Sequence, residues 1–192
     1  METSVIVAGS GGQGVLLLGR LIAYTGMLAG RHVTWFPSYG AEMRGGTANC
    51  TVVISDTTVG SPIVEQPDSL IIMNCPSLKR FITRLKDKGT LIYDSSLIND
   101  STCPDGDLAN IGRYNLIAIP ASNEASALGS IRYANMVLFG AFLGHSGLAG
   151  IKTAEEALYE MLSQRHHHLI EENLKAIKRG LEMVMKKRQT QS

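Results

Sequence analysis

A chain of 192 residues is long enough to bury one real core and too short to hold a second full domain beside it. Its 18 Lys and Arg against 17 Asp and Glu leave a net charge of +1, so no overall field favours nucleic acid or an anionic membrane as partner, and charge recognition must be local. Cys50, Cys75 and Cys103 are odd in number, widely spaced and without a C-x-x-C pair, which argues against a disulfide framework and for a reducing, cytoplasmic setting.

In chain order, the apolar run Val5 to Ala8 reads as a buried strand that breaks into the glycine cluster Gly9 to Gly14. No basic stretch precedes it and glycines interrupt it, so it does not read as a secretion signal. Val15 to Ala29 has the helical period and Gly30 behind it; too short to span a bilayer and carrying Arg20, it reads as a buried helix. Val33 to Phe36 is a second buried strand, followed by the loop Pro37 to Gly46. From Thr47 to Ser55 the residues Ala48, Cys50, Val52 and Ile54 alternate with Thr47, Asn49, Thr51, Val53 and Ser55, the pattern of an edge or antiparallel strand with one exposed face. Cys50 falls on the apolar side and reads as an inert packed thiol.

Leu70 to Met73 and Leu91 to Tyr93 are further buried strands, separated by a helix over Ser77 to Lys86 that Gly89 closes. Ser95 to Gly112, rich in Ser, Asp and Asn, is the least ordered interior stretch, and Leu116 to Ile119 is the last strand. Beyond Pro120 the chain turns helical, and Ala134, Gly140, Ala141 and Gly144 put small side chains on a helix that can approach its neighbours closely. Thr153 with Glu156 forms a T-x-x-E capping box for a helix carrying Ala157, Leu158, Met161 and Leu162. Ile170, Leu174, Ile177, Leu181 and Val184 make one apolar stripe on a final helix over about 168–186. His166, His167 and His168 read as a solvated helical face, and Lys186 to Ser192 as a frayed tail. His145, in a glycine-rich stretch, has no second ligand at metal spacing, so no metal site is expected. The whole, 1–192, reads as a single domain: a largely parallel sheet with helices on its faces.

Gly9, Gly11 and Gly14 satisfy G-x-G-x-x-G between a strand and a helix, where backbone N–H groups and a helix N-terminus could hold a phosphate. A dinucleotide site also needs an acid at the end of the second strand, and Val33 to Tyr39 holds none; the next acid, Glu42, lies beyond it. Gly14, Gly19, Ala23 and Gly26 have a purely structural reading, letting the first helix lie close on the sheet, and the two uses are compatible. The second loop, PSYGAEMRGG at Pro37 to Gly46, holds an acid, a base, an aromatic and three glycines in ten positions, either a functional loop or a solvated turn with a Glu42–Arg44 pair.

Taken together, GSGGQGV at Gly9 to Val15, SYGAEMRGGTAN at Ser38 to Asn49, VISD at Val53 to Asp56, SPIVEQPD at Ser61 to Asp68, IPAS at Ile119 to Ser122, ANMVLFGA at Ala134 to Ala141 and NLKAIKRG at Asn173 to Gly180 span nearly the whole chain. In that order they resemble the gamma subunit of 2-oxoacid:ferredoxin (or flavodoxin) oxidoreductases, most like the 2-oxoglutarate type. The resemblance implies a three-layer α/β/α sandwich with a mostly parallel sheet and at least one antiparallel or edge strand. It implies an assembled enzyme that decarboxylates a 2-oxoacid, passes electrons through iron-sulfur clusters to ferredoxin and delivers the acyl group to coenzyme A. Thiamine diphosphate, Mg and the clusters would sit in alpha, beta and ferredoxin-like delta partners; neither nucleic acid nor a membrane is an expected partner. Three isolated cysteines cannot bind a four-cysteine cluster, and the Gly106–Asp107 pair lacks the spaced asparagine of a thiamine diphosphate motif.

No residue reads as catalytic, no metal ligand is expected, and the isolated chain should be inactive. The candidate cofactor-facing residues are Gly9, Gly11, Gly12, Gln13, Gly14, Tyr39, Gly40, Glu42, Arg44, Gly45, Gly46 and Asn135, with the two loops expected together at the carboxyl ends of the first two strands. Arg44 would contact a phosphate or carboxylate, or pair with Glu42. Tyr133 and Asn135 would border the site, or Asn135 would satisfy a neighbouring backbone group. Met27, Met136 and Met183 could face partners rather than core. The alternatives are a free-standing Rossmann-like nucleotide-binding module and the small subunit of an indolepyruvate oxidoreductase.

Overall fold

The structure is a computed structural model that describes residues 1–38, 47–104 and 112–191. Six strands, β1 (Glu2–Gly9), β2 (His32–Ser38), β3 (Ala48–Ser55), β4 (Ser69–Ile72), β5 (Thr90–Asp94) and β6 (Asn115–Ile119), form one sheet among the described residues in the order β2-β3-β1-β4-β5-β6. β3 is antiparallel to both neighbours, and β1, β4, β5 and β6 are parallel in succession. The helices are α1 (Val15–Leu28), α2 (Cys75–Phe81), α3 (Ala121–Ala127), α4 (Ala134–Ser146), α5 (Ile151–Met161) and α6 (Ile170–Gln191). The result is an α/β/α sandwich with a mostly parallel sheet, as the order of apolar runs implied.

The period of two along β1 divides its residues between two cores. Val5 and Val7 join the larger one with α1, α4, α5 and α6, while Ile6 and Ala8 join a smaller one with Leu78 and Phe81 of α2. On α1 the fully buried Leu18, Leu21 and Ile22 contribute about 1.5–3 kcal/mol each by leaving water. α4 is buried without interruption from Ala134 to Gly144, which is why its sequence is apolar on every side. Its close approach to α6 rests on missing side chains: a Cβ at Gly140 would collide with the carbonyl of Ile177, and one at Gly180 with the carbonyl of Val137. Gly19 does the same for α1 over β3, since a Cβ there would strike Cys50 Sγ.

Several expectations are corrected. β3 is antiparallel but interior; β2 takes the edge, with Phe36 51% exposed, and Val53 and Ser55 of β3 are buried. The alternation in β3 reflects the half-buried Asn49 and Thr51 on the face turned away from the larger core, while Val53 and Ser55 further along that face are buried. Cys75 and Cys103 form a disulfide instead of standing free. The segment after β5 folds back onto the α2 face, where Ile98 and Cys103 enter the smaller core, so a separation of 28 residues becomes a Cα–Cα distance of 5.6 Å. The cysteines therefore no longer argue for a reducing compartment. The second helix starts at Cys75, capped by Asn74, and ends in a 3-10 turn over Ile82–Arg84.

Thr153 lies within α5, whose N-cap is Gly150, so the capping box is not formed. Met136 is core, 2% exposed, whereas Met27 is 57% exposed. His145 belongs to the last turn of α4, where its Nε2 lies 3.0 Å from Thr90 Oγ1. His166 to His168 sit in a 3-10 stretch, Gln164–Leu169, with His167 Nε2 2.9 Å from the Leu162 carbonyl and its ring edge-on to Tyr159. Helix α6 continues to Gln191, past the point where fraying was expected, and Val184 is the last of its described residues to pack into the core.

Candidate functional site

The two sequence loops begin at the same edge of the sheet. Gly9 pairs with Ala48, and Ser38 pairs with Asn49 on the other side of β3. Ser38 and Thr47, which flank the second loop, thus lie beside the start of the first. Tyr39, Gly40, Glu42, Arg44, Gly45 and Gly46 lie outside the described residues.

In the first loop three of the four glycines answer a packing or backbone demand. A Cβ at Gly9 would lie 2.8 Å from Gln13 Oε1 and 2.9 Å from Met73 Cβ. Gly12 and Gly14 have φ of 89° and 74°, the left-handed region that side chains disfavour. A Cβ at Gly14 would also collide with Asn135 Nδ2. Gly11 alone has neither demand: its φ is not positive, it is exposed, and nothing lies within 4 Å of an added Cβ. Gln13 turns inward and braces the loop, accepting from Ser10 N at 2.7 Å and donating from Nε2 to the Met73 carbonyl at 3.2 Å. Gly14 is the N-cap of α1 and no side chain caps the helix, so its first-turn amides have neither an intrahelical acceptor nor a side-chain cap.

Asn135 lies beneath the loop rather than on its open side. It is 3% exposed; its Nδ2 donates to the Gly14 carbonyl at 3.4 Å, and its Oδ1 has no partner among the described residues. Of its two sequence readings, this contact is the backbone one. Tyr133 is the residue before α4 and packs against the larger core.

Three further side chains hold this edge, none of them singled out from sequence. Asn74 Nδ2 donates to Ser10 Oγ at 2.5 Å and to Gln13 Oε1 at 3.5 Å, while its Oδ1 accepts from Ser77 N at 2.9 Å. Arg80, one helical face further on, donates from Nη1 to Thr47 Oγ1 at 2.9 Å, at the end of the second loop. An Asn directly after an apolar strand and two residues before Pro76 is a helix-start signal, and it was available to find Asn74. Nothing local marks Arg80 or Ser10.

Two features of the molecule stand apart from this edge. Burial pushes the Cys50 thiol up to about 12, against smaller opposing contributions from Trp35 and the Gly19 backbone, so Cys50 is no nucleophile. A cavity of about 440 Å³ opens at the opposite end of the strands, lined by Ser55, Ser69, Thr90, Phe142 and His145. Among the described residues no group of three His, Cys, Asp or Glu could hold a metal ion, and no helix is long and apolar enough to cross a membrane.

Fold and edge geometry define an α/β/α domain that presents an uncapped glycine loop at the carboxyl end of a mostly parallel sheet. The chain belongs to the pyruvate ferredoxin/flavodoxin oxidoreductase family, whose sequence profile matches residues 4–183. It is 38% identical over 184 residues to the ketoisovalerate oxidoreductase subunit VorA of Methanothermobacter thermautotrophicus, covering 94% of this chain and 36% of that relative. It thus spans little more than a third of that protein's length. To the 2-oxoglutarate synthase subunit KorC of Methanothermobacter marburgensis it is 33% identical over 187 residues, covering 96% of this chain and 98% of the relative. The crystal structure of the keto/oxoacid ferredoxin oxidoreductase gamma subunit from Geobacter sulfurreducens has a TM-score of 0.77 and 27% identity, over 96% of this chain and 99% of that one.

Proposed function

We propose that this chain is the gamma subunit of a multisubunit 2-oxoacid:ferredoxin oxidoreductase, which converts a 2-oxoacid to an acyl-CoA and reduces ferredoxin, and that its glycine-loop edge meets coenzyme A and the neighbouring subunits. Thiamine diphosphate, Mg and the iron-sulfur clusters belong to alpha, beta and ferredoxin-like delta partners in this reading. Supporting it on this side, Cys75 and Cys103 are joined to each other and Cys50 is enclosed, a donor set that does not fit a cluster. The observation that carries the reading is Gly11. A residue kept bare with neither a backbone nor a packing reason, next to an uncapped helix start, suits close approach by something outside the chain. A phosphate of coenzyme A would match the uncapped amides, and Arg44 of the adjoining sequence would supply a charge-assisted contact.

The chain's part is to bind and position, so the substrate pocket lies in another subunit. 2-Oxoglutarate is the substrate to test first, because SYGAEMRGG at Ser38 to Gly46 resembles that branch, with ketoisovalerate and pyruvate as the comparisons. In the complex reconstituted with its partners, Gly11→Asp should raise the KM for coenzyme A at least about tenfold by like-charge repulsion while the chain keeps its melting temperature. An unchanged KM together with unchanged assembly would remove this role for the loop.

A further inference from the structure

The helix that holds both loops is itself tied down by a covalent bond that the proposed reaction does not use. Cys75 is the first residue of α2 and half-buried; its partner Cys103 is 2% exposed. Immediately before Cys75, Asn74 grips Ser10 and Gln13 of the glycine loop, and five residues after it Arg80 grips Thr47 at the end of the second. α2 has only seven residues and buries three of them, Ser77, Leu78 and Phe81. A helix so short has no stability of its own, so what anchors it decides its position.

We propose that Cys75–Cys103 is a reversible redox site, opened by a dithiol reductant, and that its state governs the order of the glycine loop. A thiolate of the dithiol attacks the sulfur of Cys75, the less buried of the two residues, the Cys75–Cys103 bond breaks, and Cys103 leaves as a thiolate that takes up a proton. The reductant's second thiol then displaces Cys75, so the dithiol becomes a disulfide and its two electrons reside in two protein thiols. With the tether cut, Asn74 loses its fixed position and with it the hold on Ser10 and Gln13. A loosened loop should raise the KM for coenzyme A in the assembled complex, a consequence that rests on the function proposed above; the coupling between cross-link and loop does not.

The test compares the full chain, air-oxidised, with the same chain reduced by dithiothreitol and alkylated without unfolding. Mass analysis should find two alkylated cysteines, Cys75 and Cys103, with Cys50 protected. Amide exchange over Ser10 to Leu16 and Asn74 to Leu78 should be at least about tenfold faster in the reduced chain, while β1 and α6 keep their rates. The Cys75→Ser, Cys103→Ser double variant should exchange like the reduced form. Should that variant not fold, recovery of slow exchange when the reduced, unalkylated chain is reoxidised by oxidised glutathione gives the same answer. Equal exchange in the two states, or three free thiols in the unfolded, air-oxidised chain, would overturn the proposal. An equal KM for coenzyme A in the complex reconstituted with the oxidised and with the reduced chain, the exchange difference being intact, would overturn only the functional reading.

Discussion

Gly11 and Gly14 stand three residues apart, and a single methyl group separates their roles. Gly14→Ala forces a left-handed residue to carry a side chain against Asn135 and should cost about 2 kcal/mol or more, read as a fall in the urea midpoint. Gly11→Ala points into open space and should change stability by no more than about 0.5 kcal/mol in the same assay. Asp68 carries a pH dependence of its own. Burial raises its pKa, but hydrogen bonds from Lys86 at 2.6 Å and from Ser4 N and Oγ at 2.8 Å outweigh this and hold the carboxyl below its ordinary value. A lowered pKa contributes stability that is complete above the unfolded value of about 4 and is lost as pH falls through the folded one. Asp68→Asn should therefore shrink the drop in urea midpoint between pH 7 and pH 3; a drop as large as that of the parent chain would assign it to other groups.

Among the elements, α4 and α6 meet backbone to backbone. Gly140→Ala and Gly180→Ala should each cost about 3 kcal/mol, and because both enlarge the same contact, the double variant should cost less than their sum. α2 is held by a different device. Cutting the Cys75–Cys103 cross-link frees a loop of 28 residues in the unfolded chain, an entropic effect of about 3 to 4 kcal/mol that a reduced-against-oxidised denaturation series would measure. The strands and the long helices were legible from period and punctuation. The short α2 was displaced by two residues, since its start is fixed by the Asn74 cap and Pro76 rather than by an apolar stripe. The edge position of β2 was invisible, because Val33 and Trp35 are as apolar as an interior strand and one face of β2 is indeed covered by α1.

For the molecule as a whole, the open edge and the exposed Met27 leave surface for other chains to cover. Co-expression with thiamine-binding and ferredoxin-like subunits should yield a co-purifying complex active on a 2-oxoacid. The chain purified alone should show neither decarboxylation nor iron-sulfur absorbance, and activity from it alone would sink the subunit reading. What the sequence determined by itself was local and periodic: five apolar runs and one alternating strand, the glycine signals that end helices, and the bare Gly9 to Gly14 loop between the first strand and the first helix. These follow from interactions between residues a few positions apart, which a linear text displays. What only the tertiary structure decided was pairing at a distance: β3 inserted between β2 and β1, Cys75 joined to Cys103, Asn135 set under Gly14, and Arg80 brought to Thr47. Those contacts depend on how the layers stack, and stacking is fixed by the summed burial of two cores rather than by any one stretch of chain.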